Sequence, residues 1–386
     1  MNALLVVLGN CIVLLISLLI LEMGTRWFAP DWLRWRMEQL SHLQEANSEI
    51  GTDLDWKIEL QGNQFIRFTP NTSFDVIHPE YQYRMHIDEY GCRRTVPTHT
   101  TMPLIPFLGD SFTLGLGVRD EDTYISHLQY YFVQRFINLG ITGSALPQQI
   151  SLIKLRHEAL GHPHLYVFAF FFGNDFSDMM TFDDNTTTSQ GTILDNQYGL
   201  NENQDTLSQW NYWLLNSQFR HSYLVQYTRQ MAGRWMYSRY SSRHMDPVFM
   251  LMDTRNHAYH IRAMTLLERY LDQLVVLSKN KHFDILFLAI PDKYQSVSPA
   301  LKAAYYGIPI EQLDQNLPNR LLRDALAERG IPLIDVTYMF QKRLNPDALY
   351  YKYDNHWTPE GHRFFANQIR DELEEFIKRR NLVEQN

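Results

Sequence analysis

From residue 101 onward, short apolar segments alternate with stretches of helical periodicity, and this alternation restricts the possible folds of the chain most strongly. Each apolar segment is hydrophobic on both faces, as strands buried between two helical layers are. Strands that alternate with helices form a parallel sheet with right-handed crossovers, so the sequence predicts a three-layer α/β/α sandwich. The predicted strands are Leu104–Leu108, Phe136–Leu139, Leu165–Phe172, Ile285–Ile290 and Pro332–Val336.

Helices are predicted between these strands and at the carboxyl end. Residues 122–132 and 148–160 have helical periodicity and connect the first three strands. In the last helix, Thr358 is a suitable N-cap and Pro359 suits the first turn. Apolar residues then recur every three or four positions, which predicts one buried stripe along that helix.

An apolar run at the amino terminus, Ala3–Leu21, is interrupted only by Gly9, Asn10 and Ser17. At ~1.5 Å per residue the run is just long enough to cross the ~30 Å hydrocarbon core of a bilayer. A cleavable signal peptide would have a basic start, a shorter apolar stretch and a small-residue cleavage site, and none is evident. The sequence therefore predicts an uncleaved transmembrane anchor at residues 1–22, with a buried core helix as the alternative.

The charges next to this run bear on its orientation. Arg26, Arg34 and Arg36 follow it, whereas no basic residue precedes it. The positive-inside rule then favours a cytoplasmic location for the rest of the chain.

Two further regions are predicted around the core. Residues 23–100 form a juxtamembrane segment and an N-terminal extension with short strands, and residues 101–380 form the main domain. An insertion at about 176–262 begins with a polar loop at 183–189 and continues as an aromatic, partly helical segment at 210–240. Long insertions at strand ends often cover a binding site, although a peripheral decoration is an equal alternative.

Composition excludes several classes of function. The formal net charge is −8, from 35 basic and 43 acidic residues, which disfavours a nucleic-acid partner bound through its phosphates. Cys11 and Cys92 are the two cysteines, too few for a disulfide framework or a cysteine-based zinc site. No metal site is predicted.

Four polar segments lie where predicted strands end or, for the last, just before the final helix. Ser111 follows the first strand within Gly109-Asp110-Ser111, Gly143 follows the second and Asn174 the third. In open α/β sheets, ligands bind beyond the carboxyl ends of the strands. The backbone N–H of Gly143 and the amide of Asn174 can then point to one place. Converging donors of this kind form an oxyanion hole, in which each is worth ~3 kcal/mol of barrier.

The fourth segment, before the last helix, contains Asp354, Asn355 and His356. His356 can act as the base for Ser111, and Asp354 can orient its imidazole. Asp110 and Asp175 are predicted to be turn or helix-cap residues bonded to the backbone. His362 is expected to be a surface or capping residue.

Residues of the types Ser, Gly, Asn and His in this order resemble the SGNH, or GDSL-like, hydrolases over about residues 101–375. The resemblance implies a flavodoxin-like α/β/α fold and attack by Ser111 on an ester through an acyl-enzyme intermediate. It also implies that the oxyanion hole consists of the Ser111 and Gly143 N–H groups with the Asn174 side chain. Neither a metal nor an organic cofactor is implied.

The last motif departs from the family pattern Asp-x-x-His, because Tyr353 stands three residues before His356 and Asp354 two residues before it. Asp-x-His followed by Trp357 is similar to the SGNH-type O-acetyltransferases of bacterial polysaccharides, such as those that act on alginate. A single anchor ahead of the domain is similar to the D-alanylation and acetylation members of the superfamily. This likeness implies an extracytoplasmic, periplasmic body, against the arginine signal.

The predicted function is a serine esterase, anchored in the membrane through residues 3–21, that removes an acyl group, expected to be acetyl, from a carbohydrate-linked ester. One alternative is an O-acyltransferase that moves an acetyl group onto a polysaccharide or cell-envelope glycan, with a multispanning acyl-donor protein as partner. A second alternative is a non-catalytic scaffold with the same fold.

Overall fold

The computed structural model describes residues 2–47, 58–61, 64–98, 104–187, 221–237 and 245–380. The chain forms two compact units. The first comprises Met1–Ser48, Asn201–Met245 and Pro299–Ile310. The second comprises Glu49–Leu200, Asp246–Ser298 and Glu311–Asn386.

Secondary-structure elements are numbered in chain order over the described residues. The strands are β1 Ile58–Gln61, β2 Gln64–Phe68, β3 Ser73–His78, β4 Tyr81–His86, β5 Leu104–Gly109, β6 Arg135–Gly140, β7 Leu165–Phe171, β8 Asp284–Ile290 and β9 Leu333–Asp335. The helices are α1 Asn2–Trp27, α2 Asp31–Asn47, α3 Ser111–Leu114, α4 Tyr124–Gln129, α5 Leu146–Arg156, α6 Asp175–Thr187, α7 Tyr223–Tyr237, α8 Pro247–Met252, α9 His257–Lys281, α10 Lys293–Ser296, α11 Ala300–Tyr306, α12 Leu317–Ala327, α13 Thr337–Lys342 and α14 Pro359–Arg379.

The second unit is built on a five-stranded parallel sheet with the spatial order β6-β5-β7-β8-β9. Counted from its own first strand, this order is 2-1-3-4-5, the flavodoxin-like arrangement. The predicted fold class is confirmed, and each strand boundary lies within one residue of its predicted position. The chain reverses direction across the sheet between β5 and β7, so a crevice is expected at their carboxyl ends.

Each face of the sheet carries its own hydrophobic core. Along β7, Phe168 and Phe170 pack with helices α5, α9 and α12, whereas Val167 and Ala169 pack with α4, α13 and α14. Alternate residues of a strand point to opposite faces, so a strand covered on both sides must be apolar throughout. The three layers follow directly from this pattern.

Helix α14 has the predicted start. The Thr358 side chain accepts a hydrogen bond from Gly361 N–H, and Pro359 occupies the first turn. Phe365, Ile369 and Leu373 on its inner face are fully buried. Burial of each such side chain contributes about 1.5–3 kcal/mol, which fixes the end of the loop that precedes the helix.

The N-terminal extension contributes two antiparallel strand pairs, β1–β2 and β3–β4. The β3–β4 hairpin packs through Phe74 and Met85 against Leu114, in a small core shared with the main sheet's loops. Short strands are confirmed in this extension. The division at residue 100 stays a prediction, and both strand pairs lie within the second unit.

The insertion is helical where a loop is predicted. Helix α6 extends to Thr187, so residues 183–187 of the predicted polar loop lie in its last turns. Helix α7 covers part of the aromatic segment, as predicted, while residues 188–220 and 238–244 lie outside the described part of the chain.

The first unit contains α1, α2, α7 and α11. Within α1, the window Asn10–Trp27 has a mean hydropathy of 1.5, and none of it is buried by protein. In the described part of the chain, this helix is long and apolar enough to cross a membrane. Near its end, the Glu22 carboxylate accepts hydrogen bonds from Ser222 Oγ, Tyr223 N–H and Leu224 N–H, which start helix α7.

Candidate active site

Ser111 lies at the carboxyl end of β5, as the first residue of the short helix α3. Asp110 caps this helix, because its Oδ1 accepts a hydrogen bond from Phe112 N–H at 2.9 Å. Gly109 is required for the tight turn: a Cβ there would lie 2.1 Å from Thr113 Oγ1. Local sequence therefore fixes the position of the serine directly above the strand end.

Neutral hydrogen bonds hold this turn against the neighbouring elements. Asn138 on β6 donates from Nδ2 to Thr113 O at 2.8 Å, and Ser144 donates from Oγ to Gly109 O at 2.9 Å. The Tyr124 hydroxyl on α4 bonds to Thr113 Oγ1 at 3.2 Å. The serine thus rests on a rigid, uncharged support.

His356 and Asp354 meet Ser111 across 245 positions of sequence. His356 Nε2 lies 2.8 Å from Ser111 Oγ, and His356 Nδ1 lies 2.9 Å from Asp354 Oδ2. The intervening Asn355 has φ of 67°, in the left-handed region that asparagine tolerates, and this turn brings both side chains to one side. The Asp-x-His spacing therefore allows the same contact that a longer spacing gives.

The pKa values of His356 and Asp354 are shifted in opposite directions. Burial alone would lower the pKa of His356, but the Asp354 carboxylate, with a smaller contribution from Asp110, raises it above its ordinary value. Burial would raise the pKa of Asp354, but His356 and the Tyr81 hydroxyl hold it below its ordinary value. Asp354 is therefore ionised and suited to stabilise a protonated imidazole.

Trp357 anchors the far end of this loop in the core. Its side chain is fully buried and packs edge-on against Phe112, with ring centroids 5.1 Å apart, and against Phe365 at 4.7 Å. Phe112 in turn lies 4.9 Å from the His356 ring. The imidazole is thus held between the nucleophile's helix and a buried tryptophan.

The predicted oxyanion-hole residues lie at the same edge of the sheet. Gly143 follows β6 with φ of 69°, a conformation that favours glycine, and Asn174 lies between β7 and α6. Within the described residues, neither the Ser111 N–H nor the Gly143 N–H donates to a protein acceptor. The structure brings neither Gly143 nor Asn174 into hydrogen-bond contact with Ser111, so their role stays a prediction.

Buried carboxyl groups lie beside the serine. Asp110 and Asp175 bond to the backbone as predicted; Asp175 Oδ2 accepts from Phe171 N–H at 3.0 Å. Burial raises the pKa of Asp110 to about 6 and that of Asp178 to about 8, and raises the pKa of Asp175 well above its usual range. No sequence pattern singles out Asp178, because a carboxylate in the first turn of a helix is ordinarily exposed.

The expectation for His362 is wrong. Its side chain is fully buried, and its Nδ1 accepts a hydrogen bond from Tyr124 N–H at 3.2 Å. Burial, followed by the charge of Arg93, lowers the pKa of His362 well below its ordinary value. His362 is thus a neutral structural residue one turn after the catalytic candidate.

Three further side chains contact the loop that carries Asp354 and were not predicted: Glu80, Tyr81 and Lys293. None of them belongs to a recognisable motif. Of the described His, Cys, Asp and Glu side chains, no group of three or more is arranged to hold a metal ion. A polar cavity of about 340 Å³, lined by residues including His86, Asp88, Arg94 and Arg135, contains none of the predicted site residues.

Comparison with known proteins finds one family model that matches part of the chain. Residues 269–385 match the family model described as "SGNH hydrolase-like domain, acetyltransferase AlgX". The match covers the carboxyl-terminal part of the chain, including Asp354 and His356 but not Ser111.

Solved structures resemble this chain at low sequence identity. The acetyl xylan esterase AlAXEase is 14% identical, covers 70% of this chain and 100% of its own, and gives a TM-score of 0.37. Axe2, an acetylxylan esterase from Geobacillus stearothermophilus, is 14% identical, covers 72% of this chain and 95% of its own, and gives a TM-score of 0.35. A protein assigned to the G-D-S-L lipolytic family, from Desulfitobacterium hafniense DCB-2, is 11% identical, covers 69% of this chain and 98% of its own, and gives a TM-score of 0.36. No curated protein sequence matches this chain.

Proposed function

We propose that the chain is a serine enzyme that handles acyl esters, with Ser111 as nucleophile, His356 as general base and Asp354 as the residue that orients His356. The observation that supports this most is the continuous chain of contacts, 2.8 Å from Ser111 Oγ to His356 Nε2 and 2.9 Å from His356 Nδ1 to Asp354. A hydroxyl is a poor nucleophile until a neighbouring base accepts its proton, and this arrangement supplies that base.

In the proposed reaction, Ser111 Oγ attacks the ester carbonyl carbon while its proton passes to His356 Nε2. The N–H groups of Ser111 and Gly143 and the Asn174 side chain stabilise the oxygen that becomes negative. When the tetrahedral intermediate collapses, the carbon–alkoxy bond breaks, and the leaving alcohol takes the proton from His356. Water, activated by His356, then releases the acyl group from Ser111 as a carboxylic acid.

For the substrate we propose a short acyl ester, acetyl above all, on a carbohydrate. Support comes from the family description, which names an acetyltransferase, and from the Asp-x-His-Trp motif at residues 354–357. The fully exposed apolar helix supports a membrane-anchored enzyme, because a core helix of a soluble protein would be covered by its own chain. We propose that the domain that follows the helix lies on the extracytoplasmic side of the membrane. A reporter that is active only outside the cytoplasm, fused after residue 380, should then be active. Activity of a reporter that works only in the cytoplasm would contradict this orientation.

Labelling with a fluorophosphonate probe tests the proposed nucleophile. The wild-type protein should react covalently, and Ser111→Ala should not. Ser177→Ala, a serine in helix α6 whose Oγ bonds to the Asn174 carbonyl oxygen, is the matched control and should be labelled normally. A wild-type protein that is folded by circular dichroism but remains unlabelled would favour the non-catalytic scaffold.

A second candidate is O-acetyl transfer, which the description of the matched family favours. The first half of the reaction is unchanged, but a sugar hydroxyl replaces water in the second, with a multispanning membrane protein as the acyl donor. Incubation with an acetyl ester, with and without an oligosaccharide acceptor, separates the two. Acetylated oligosaccharide formed at the expense of free acetate indicates the transferase, and free acetate alone indicates the esterase.

A further inference from the structure

The β3–β4 hairpin contacts the loop that carries Asp354 and His356. Its two-residue turn contains Glu80, whose carboxylate accepts three successive backbone hydrogen bonds. The donors are Lys352 N–H at 2.8 Å, Tyr353 N–H at 3.1 Å and Asp354 N–H at 2.7 Å. One negative charge thereby orients three consecutive peptide groups, the last of which belongs to the residue that pairs with His356.

The next residue of the hairpin reaches the carboxylate itself. The Tyr81 hydroxyl donates a hydrogen bond to the Asp354 side chain. The Tyr81 ring is held by stacking on His78, with centroids 4.5 Å apart, and by contact with Tyr351 at 5.0 Å. Asp354 is therefore held through its backbone by Glu80 and through its side chain by Tyr81.

A cation holds the other side of the same loop. Lys293, at the start of α10 directly after β8, is buried and donates from Nζ to Tyr351 O at 2.8 Å and to Lys352 O at 2.9 Å. The carbonyl groups of the loop thus face a positive charge while its N–H groups face a negative one. Hydrogen bonds to charged groups are about twice as strong as neutral ones.

The loop is closed at its base. Tyr351 N–H donates to His356 O at 2.8 Å, Tyr350 and Trp357 form an isolated bridge, and the Tyr351 hydroxyl donates to Gly117 O at 2.7 Å. Within the loop, Asn355 is left-handed. The loop lies in no strand or helix, so sheet or helix hydrogen bonds do not fix it. Its geometry therefore depends on the side chains that surround it.

We propose that Glu80 and Tyr81, together with Lys293, are positioning residues of the enzyme: they hold the Asp354–His356 loop so that His356 faces Ser111. The β3–β4 hairpin, far from this loop in sequence, is then an integral part of the active site. This inference rests on the proposed function, since a positioning role has meaning only if Ser111 and His356 react.

The test compares variants of the full chain with p-nitrophenyl acetate as substrate and the fluorophosphonate as covalent probe. Glu80→Ala should lower kcat by about 10²-fold, because displacing a catalytic group by about 1 Å has that effect. KM should change by less than about twofold, since Glu80 does not touch the substrate. Glu80→Gln keeps one acceptor and should lose less, and Tyr81→Phe should lower kcat by about 3- to 10-fold.

A pH profile separates positioning from mere stabilisation. Asp354 and Asp110 are the charged groups that face His356, while Tyr81 and His78 face Asp354. In Glu80→Ala, Asp354 moves away from His356, so the pKa of His356 falls and the acidic limb of kcat shifts to lower pH. If the substitution only destabilised the protein, the molecules that remain folded would show the same acidic limb of kcat as the wild type.

Asp75→Asn is the matched control, because Asp75 lies on the same hairpin, is exposed and pairs across the strands with Arg84 at 3.7 Å. It should match the wild type in kcat and pH profile. If Glu80→Ala does not fold, Tyr81→Phe, which loses one hydroxyl, decides the matter. If the folded Glu80 or Tyr81 variants have the kcat and the acidic limb of the wild type, the positioning role is wrong and the proposed function is unaffected. If the wild-type protein is folded but does not react, the proposed function is wrong.

Discussion

The two halves of the candidate site are supported in different ways. Ser111 rests on the sheet itself, through a tight glycine turn and uncharged hydrogen bonds from Asn138 and Ser144. His356 lies in an irregular loop that is held by charged side chains from distant parts of the chain. The fold itself thus positions Ser111. The position of His356 depends on particular side chains, which other proteins with this fold need not have.

Carboxyl groups show the same contrast. Near the serine, burial raises the pKa of Asp110 to about 6 and that of Asp178 to about 8, so Asp178 keeps its proton at neutral pH. Beside the histidine, the pKa of Asp354 is held low by His356 and Tyr81. Environments that move pKa values apart allow one site to hold a neutral support and an ionised orienting group.

The largest effect is expected when the general base, His356, is removed. His356→Gln should lower kcat/KM by about 10⁴-fold, because the serine loses its proton acceptor, while the melting temperature stays close to wild type. His362→Ala is the contrasting variant: its loss of a buried hydrogen bond should cost about 1–3 kcal/mol of unfolding free energy. Steady-state kinetics and thermal unfolding measure both, and equal activity losses in the two variants would contradict the assignment of His356.

Asp354→Asn should have a large effect on rate and a defined effect on pH dependence. We expect kcat to fall by about 10³- to 10⁴-fold, because the imidazole loses its orienting charge. Wild-type activity requires neutral His356, whose pKa is raised by Asp354, so activity is lost as the pH falls through that raised value. In the variant the raising charge is gone and burial lowers the pKa of His356, so the acidic limb of kcat/KM should move to lower pH.

An unchanged acidic limb in Asp354→Asn would mean that a group other than His356 controls the profile. Asp347→Asn, in the short helical turn at Pro346–Leu349, serves as control and should retain the wild-type profile.

Loss of an oxyanion-hole donor should come next in size. Asn174→Ala is expected to lower kcat by about 10²- to 10³-fold with little change in KM, since the amide stabilises charge that develops only during the reaction. Stopped-flow measurement of acylation by p-nitrophenyl acetate isolates that step. A wild-type acylation rate would remove Asn174 from the oxyanion hole and leave Ser111 and Gly143 as its donors.

The smallest effect sharpens the contrast in carboxyl groups. Because the folded-state pKa of Asp178 is raised to about 8, the folded wild type binds a proton that the unfolded chain releases above its ordinary pKa, so stability falls as the pH rises from about 4 to about 8. Asp178→Asn removes this loss and should raise the unfolding free energy at pH 8 while leaving it almost unchanged at pH 4. Denaturant unfolding at both pH values, with the exposed Asp324→Asn as control, tests this; an equal gain at both would show that Asp178 does not titrate.

The position of Ser111 at the end of its strand could be predicted from the sequence because its determinants are local. An apolar strand, a glycine and a capping aspartate are contiguous around Ser111, and each acts on its nearest neighbours. The same holds for Thr358 and Pro359 at the start of the last helix.

Features that depend on tertiary packing were missed. His362 has no local signal of burial, because its surroundings come from Tyr124 and the adjacent core rather than from its own helix. Glu80 lies 272 positions before Lys352, and its partners are backbone N–H groups, which carry no side-chain pattern. Hydrogen bonds to the backbone at that separation leave no trace in a single sequence.

The hydrogen bonds made by Glu22 matter for any attempt to obtain a shortened protein. A form that begins after Trp27 would discard the apolar helix and, with it, the acceptor for Ser222, Tyr223 and Leu224. Unpaired donors at a helix start cost about 1–3 kcal/mol. Extraction and purification of the full chain in detergent, with Glu22 retained, is therefore a sounder route to purified protein than truncation.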